Sequence, residues 1–189
     1  MKTVYRGCRV SDLCSEFWGF FNYGLANFRV TNVNANFNPA GYNTSGLATT
    51  EDPVVAFCYA CMQIPHGNAM AVFAMTIDDA AARAGSIQHQ AIAQNLHTNP
   101  DYTKAWRSAK AQQEIVLPSI ARQSILGYYT VQSGGGNYSI NAWTAVNGTE
   151  EMQRLASNII AESIQIFRDA SGGNITGDHI AAEISRLMG

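Results

Sequence analysis

One carboxylate stands out for its setting. In Gln112-Gln113-Glu114-Ile115-Val116-Leu117-Pro118 a polar pair and a glutamate lead into a short apolar run, rich in β-branched residues and closed by proline. Such a run reads as a buried strand. Strand side chains alternate between faces, so Gln112 and Glu114 are expected to share one. If Glu114 faces a cleft, Gln112 is expected to face it too. With a reference pKa of about 4.3, the glutamate is expected to be ionised at neutral pH without tuning. The same residues also fit a strand that merely opens on solvated polar groups.

Three further stretches bear on that carboxylate. A second strand, Ile125-Leu126-Gly127-Tyr128-Tyr129-Thr130-Val131, follows a short polar connection. Near the start, Tyr5-Arg6-Gly7-Cys8-Arg9 reads as part of a strand over residues 2–9. Between them, Gly46-Leu47-Ala48-Thr49-Thr50 runs into a helix. In this order, over residues 4–131, the pieces resemble the mono-ADP-ribosyltransferases of the cholera-toxin and pierisin type. In that family an opening Tyr-Arg strand, a Ser-Thr-Ser strand before a helix, and a Glu/Gln-x-Glu strand recur in the same sequence order.

The resemblance implies a bacterial toxin or effector with an α+β fold, in which two packed, mainly antiparallel sheets surround an NAD cleft. It implies that NAD is cleaved as a substrate and its ADP-ribose transferred, with Glu114 beneath the ribose as the catalytic carboxylate. Arg6 would grip the phosphates, a task suited to a planar guanidinium that stays charged. Gly7 would offer its backbone to the nicotinamide amide, glycine permitting close approach. Thr49 and Thr50 stand in the Ser-Thr-Ser element. Its first position is Ala48 here, so the family's hydroxyl contact to the carboxylate is absent or comes from Thr50. Phe37 or Tyr42 would stack on nicotinamide from a loop over residues 31–46. Trp106 or Tyr102 would supply the exposed aromatic of the target-recognising stretch. Gln112 would orient the acceptor, and glutamine there accompanies uncharged acceptors: amides, hydroxyls or guanine bases. The other outcomes are an NAD glycohydrolase toxin, a guanine-modifying transferase, or a degenerate, non-catalytic binding module.

Composition narrows the partners. A net charge of −2 and a pI near 6.0 offer no basic excess for phosphate backbones, which argues against nucleic acid and for a protein acceptor. A host small GTPase and ubiquitin are candidates that the resemblance brings. No apolar run is long enough to span a bilayer, and the opening Met-Lys-Thr-Val-Tyr-Arg lacks a signal peptide's apolar core. Export by a non-classical route, or delivery into a target cell's cytosol, is the expectation. Cys8, Cys14, Cys58 and Cys61 are expected as free thiols. Cys58-x-x-Cys61 is half a zinc site without a second pair, so no metal is expected. His89 and His97 have no carboxylate or cysteine patterned around them.

At 189 residues, 47% apolar and 14% charged, the chain suits one domain with its own core. The expected division is a catalytic core over residues 1–148 and a helical extension over 149–189. Helices are expected over residues 11–21, 54–62, 80–96, 150–167 and 177–188, with a helical turn over 101–110. The second is capped by Thr50 or Asp52, with Pro53 in its first turn. Residues 69–77 read as a central strand. Ser133-Gly134-Gly135-Gly136-Asn137 sits between two strand patterns, predicting a hairpin rather than a phosphate loop.

Overall fold

The computed structural model describes residues 1–9, 47–66, 69–93, 95–98, 100, 103–117 and 120–189. The expected helix over residues 11–21, the loop over 31–46 with Phe37 and Tyr42, and the residues Cys14 and Tyr102 lie outside these described residues.

The fold mixes helices with antiparallel sheet. Its strands are β1 (Lys2–Arg9), β2 (Leu47–Thr50), β3 (Met70–Ile77), β4 (Glu114–Leu117), β5 (Ile125–Gly134), β6 (Asn137–Ala145) and β7 (Ile175–Thr176). Its helices are α1 (Pro53–Gln63), α2 (Asp79–Gly85), α3 (Ile87–Ala93), α4 (Thr103–Ala111), α5 (Glu150–Ala170) and α6 (Gly177–Met188). Where two packed sheets were expected, the described strands hydrogen-bond in one series, β4-β2-β1-β3-β5-β6-β7. Every pairing in it is antiparallel.

Alternation along β1 and β3 divides the core. Tyr5, Val72 and Ala74 face a cluster with Ala56, Phe57 and Ala60 of α1 and with Ile160, Ile164 and Ile180 of α5 and α6. Val4, Ala71, Phe73 and Met75 face a second cluster with Ile115, Leu117 and Ala82. The C-terminal helices thus share one buried cluster with the first strand, and β7 pairs with β6.

Local chemistry sets the helix boundaries. The Asp52 side chain accepts from the Val54 N–H at 2.8 Å and caps α1, with Pro53 following in the first turn. Thr149 caps α5, accepting from the Met152 N–H at 3.2 Å. The single helix expected over residues 80–96 is instead α2 and α3, broken at Ser86. The break comes from tertiary contact with β4. Ser86 is extended and bridges to Ile115, and a Cβ on Gly85 would lie 2.5 Å from the Val116 carbonyl oxygen.

Candidate active site

A cleft of about 450 Å³ opens where β1 and β2 part, a size suited to a small molecule or a portion of a dinucleotide. The two strands share one registered pair, Tyr5↔Thr50. Beyond it, Arg6, Gly7 and Cys8 on one side and Ala48 and Thr49 on the other border the cleft. Helix α1 lines it through Val55, Ala56, Tyr59 and Gln63, and Gln112 and Glu114 complete the wall. Of the residues singled out in the sequence, Arg6, Gly7, Thr49, Thr50, Gln112 and Glu114 therefore meet at one place.

Glu114 begins β4 and lies opposite Thr50 in the β2–β4 ladder. Since Thr50 in turn opposes Tyr5, the carboxylate stands on the α1 side of the sheet. Only 6% of the residue is exposed. No ion pair or hydrogen bond among the described residues engages its carboxylate. Burial alone pushes its pKa up to about 7, because a low-dielectric setting disfavours the charged form. The expectation of an untuned, fully ionised glutamate is therefore corrected: burial makes Glu114 hold its proton to higher pH than an exposed glutamate.

Gln112 reaches the cleft by a different route from the one expected. It does not share a strand with Glu114: β4 starts at Glu114, and Gln112 follows the last turn of α4, its N–H donating to the Ser108 carbonyl at 2.9 Å. Gln113 turns the chain with φ +47°, a left-handed conformation uncommon for glutamine. The turn is held in place on β2. Thr50 Oγ1 donates to the Gln112 carbonyl, and the Glu51 N–H donates to the Gln113 carbonyl at 3.3 Å. The Gln112 side chain is also held: Tyr59 donates to its Oε1 at 2.8 Å, and its Nε2 donates to Ser108 Oγ at 2.6 Å.

The threonines serve the frame. Thr49 Oγ1 donates to the Ile115 carbonyl at 2.7 Å. Thr50 Oγ1, besides donating to Gln112, accepts from the Asp52 N–H at 3.0 Å. Neither hydroxyl bonds to the Glu114 carboxylate. Arg6 comes from the opposite face of β1, that of Val4 and Cys8, and its Nη1 reaches across to donate to the Ala48 carbonyl. Its side chain thereby fastens β1 to β2 at the cleft, leaving further donors of the guanidinium fork in the same wall. Gly7 is explained by packing: a Cβ there would sit 1.9 Å from the Ala56 carbonyl oxygen. Glycine at this position admits helix α1 to close approach, and the residue also borders the cleft.

Trp106 sits half-buried on α4 with Lys110 Nζ 5.2 Å above its ring. The thiols of Cys58 and Cys61 are buried on α1, and burial raises their pKa values far above the usual range. Among the described residues no cluster of three or more His, Cys, Asp or Glu is arranged to hold a metal. No described helix is long and apolar enough to cross a membrane.

Tyr59 and Ser108 are the site residues that sequence reading missed. Ser108 precedes Gln112 by four residues on a helical stretch, a spacing that does signal a contact. The bond between Tyr59 and Gln112 spans 53 residues and has no sequence signature.

No family model and no curated protein matches the chain. A solved structure of full-length CARDS toxin does, with a TM-score of 0.54 and 16% identity, over 80% of this chain and 30% of that one. A nicked form of the same toxin gives 0.49 and 14% over 77% and 30%. At this identity the likeness is one of fold, and this chain spans under a third of the toxin's length. The fold is thus one shared with a part of CARDS toxin.

Proposed function

We propose that the chain is a mono-ADP-ribosyltransferase that cleaves the nicotinamide–ribose bond of NAD. It passes ADP-ribose to an uncharged amide or hydroxyl acceptor on a target protein. The observation that carries this reading is the meeting of Glu114 and Arg6 on one cleft, with the carboxylate buried and without an ionic partner among the described residues. The fold shared with CARDS toxin supports it.

The chemistry follows from charge. As nicotinamide departs, positive charge develops on the ribose, and a carboxylate already fixed in a water-poor wall stabilises it without reorganisation. The bound nicotinamide ring is itself cationic, which favours the ionised form of a carboxyl poised near 7. Arg6, held by the Ala48 carbonyl, would direct its remaining donors to the pyrophosphate. Gln112 stands beside Glu114 as the group that meets the acceptor. Thr49 and Thr50 act through the frame that positions β4 and the Gln112 turn. Phe37, outside the described residues, is kept as the proposed stacking partner of nicotinamide.

The acceptor is proposed to be a protein, with a host small GTPase or ubiquitin as the first to test. Action in a target cell's cytosol, after non-classical export or delivery, belongs to the same proposal. The chain is incubated with labelled NAD and a cell lysate, and modified peptides are identified by mass spectrometry. Labelled protein that disappears with Glu114→Ala supports the reading. Nicotinamide release without labelled protein marks an NAD glycohydrolase, and labelled nucleic acid a guanine-modifying transferase. No release from the folded chain marks a non-catalytic binding module.

A further inference from the structure

Resting on the transferase reading, we propose that Tyr59 and Ser108 are positioning residues. They fix which way the Gln112 amide faces and so govern how much ADP-ribose reaches an acceptor rather than water. A glutamine amide is nearly symmetric in shape, and its two ends differ only as acceptor and donor. In this cleft the ends are told apart by a directed chain of groups. The Met188 thioether is an acceptor only and lies 3.5 Å from Ser108 Oγ, so it takes the serine hydrogen. Ser108 Oγ is thereby an acceptor for Gln112 Nε2 at 2.6 Å. The Gln112 Oε1 is left facing Tyr59, whose hydroxyl donates to it at 2.8 Å.

The backbone of the same residue is fixed independently, through Thr50 and the Ser108 carbonyl. Gln112 is 5% exposed yet borders the cleft. Gln112 Nε2 also donates to the Met188 thioether at 3.8 Å, so both of its N–H groups are engaged and the buried amide presents an approaching group with one carbonyl lone pair, in a fixed arrangement. Loss of either hydroxyl removes one of the bonds that fix the amide's orientation. An acceptor that needs this arrangement suffers, whereas water, which is small and needs no oriented partner, suffers less.

Tyr59→Phe and Ser108→Ala are each compared with the unaltered chain in two parallel readings: incorporation of label from NAD into the proteins of a cell lysate, and release of nicotinamide. Each variant is expected to lower the ratio of incorporation to release by about fivefold, the effect of about one net hydrogen bond. A merely structural role scales both rates together. If both variants keep the unaltered chain's ratio, the positioning role is overturned while the transferase reading stands. If the unaltered chain releases no nicotinamide, the transferase reading fails and this proposal fails with it. Tyr59→Phe removes one oxygen and Ser108→Ala is small, and melting curves of both establish that the ratio is read on folded protein.

Discussion

Thr50 lies directly opposite Glu114 across the β2–β4 ladder, yet its hydroxyl donates to the carbonyl of Gln112 and not to the carboxylate. A hydroxyl in this element thus fixes the turn that precedes the acid, and the acid itself is left to the cleft. Thr50→Val removes the bond to Gln112 and the one accepted from the Asp52 N–H. A loss of about 2 kcal/mol is expected in denaturant unfolding, since buried partners on both sides are left unsatisfied. Thr50→Ser should retain most of the stability.

The burial of Glu114 has a stability consequence with a definite sign. Its folded pKa of about 7 lies above the ordinary value of 4.5, so between these values the folded chain holds a proton that the unfolded chain releases. The contribution of this group is most favourable below the unfolded value and is lost as pH rises through about 7. Glu114→Gln removes that slope. Relative to the unaltered chain it should gain on the order of 3 kcal/mol in going from pH 4 to pH 8. Urea unfolding of both proteins across that range measures the difference; parallel pH profiles would contradict it.

The same proton would enter the proposed reaction. If the ionised carboxylate stabilises the ribose cation, nicotinamide release should rise with pH through about 7, the range into which burial moves Glu114. Binding of NAD, whose nicotinamide is cationic, should release a proton from the site at pH 6. Calorimetry in two buffers of different ionisation enthalpy reads this directly.

Arg6 tests the difference between a fork and a point charge. Arg6→Lys keeps the charge but cannot hold the Ala48 carbonyl and a phosphate with one planar group. The KM for NAD is expected to rise by about tenfold or more, the worth of one charge-assisted hydrogen bond.

Gly7→Ala should fail for reasons of packing. The added carbon meets the backbone of α1 at Ala56, which cannot yield as a flexible side chain would. A destabilisation of at least about 2 kcal/mol is expected. A fully stable Gly7→Ala chain would show that α1 is not seated against β1 as described.

Much of this was legible in the sequence because it rests on local signals. The strand pattern of residues 2–9, the apolar run of 69–77 and the glycine-rich hairpin placed β1, β3, β5 and β6 close to their observed bounds. Pro53, Thr149 and the apolar spacing of 177–188 did the same for α1, α5 and α6. What the sequence hid arises from contacts between distant residues. Alternation suggested that Gln112 and Glu114 share a strand face; a left-handed Gln113 brings them to one cleft instead. Residues 80–96 carry a continuous helical pattern, but the contact of Ser86 with Ile115 divides them. Glycine at position 7 suggested access for a ligand; a further reason for it, the carbonyl of Ala56, lies 49 residues on. The raised pKa of Glu114 follows from burial, which residue type alone does not reveal.

The most direct test is nicotinamide release from NAD at pH 8 by the unaltered chain and by Glu114→Gln, with both shown to be folded by circular dichroism. Release by the unaltered chain and a loss of at least about a hundredfold on substitution, the range for removing one preorganised electrostatic group, is the expected result. Equal rates in the two proteins would contradict the role given to this carboxylate.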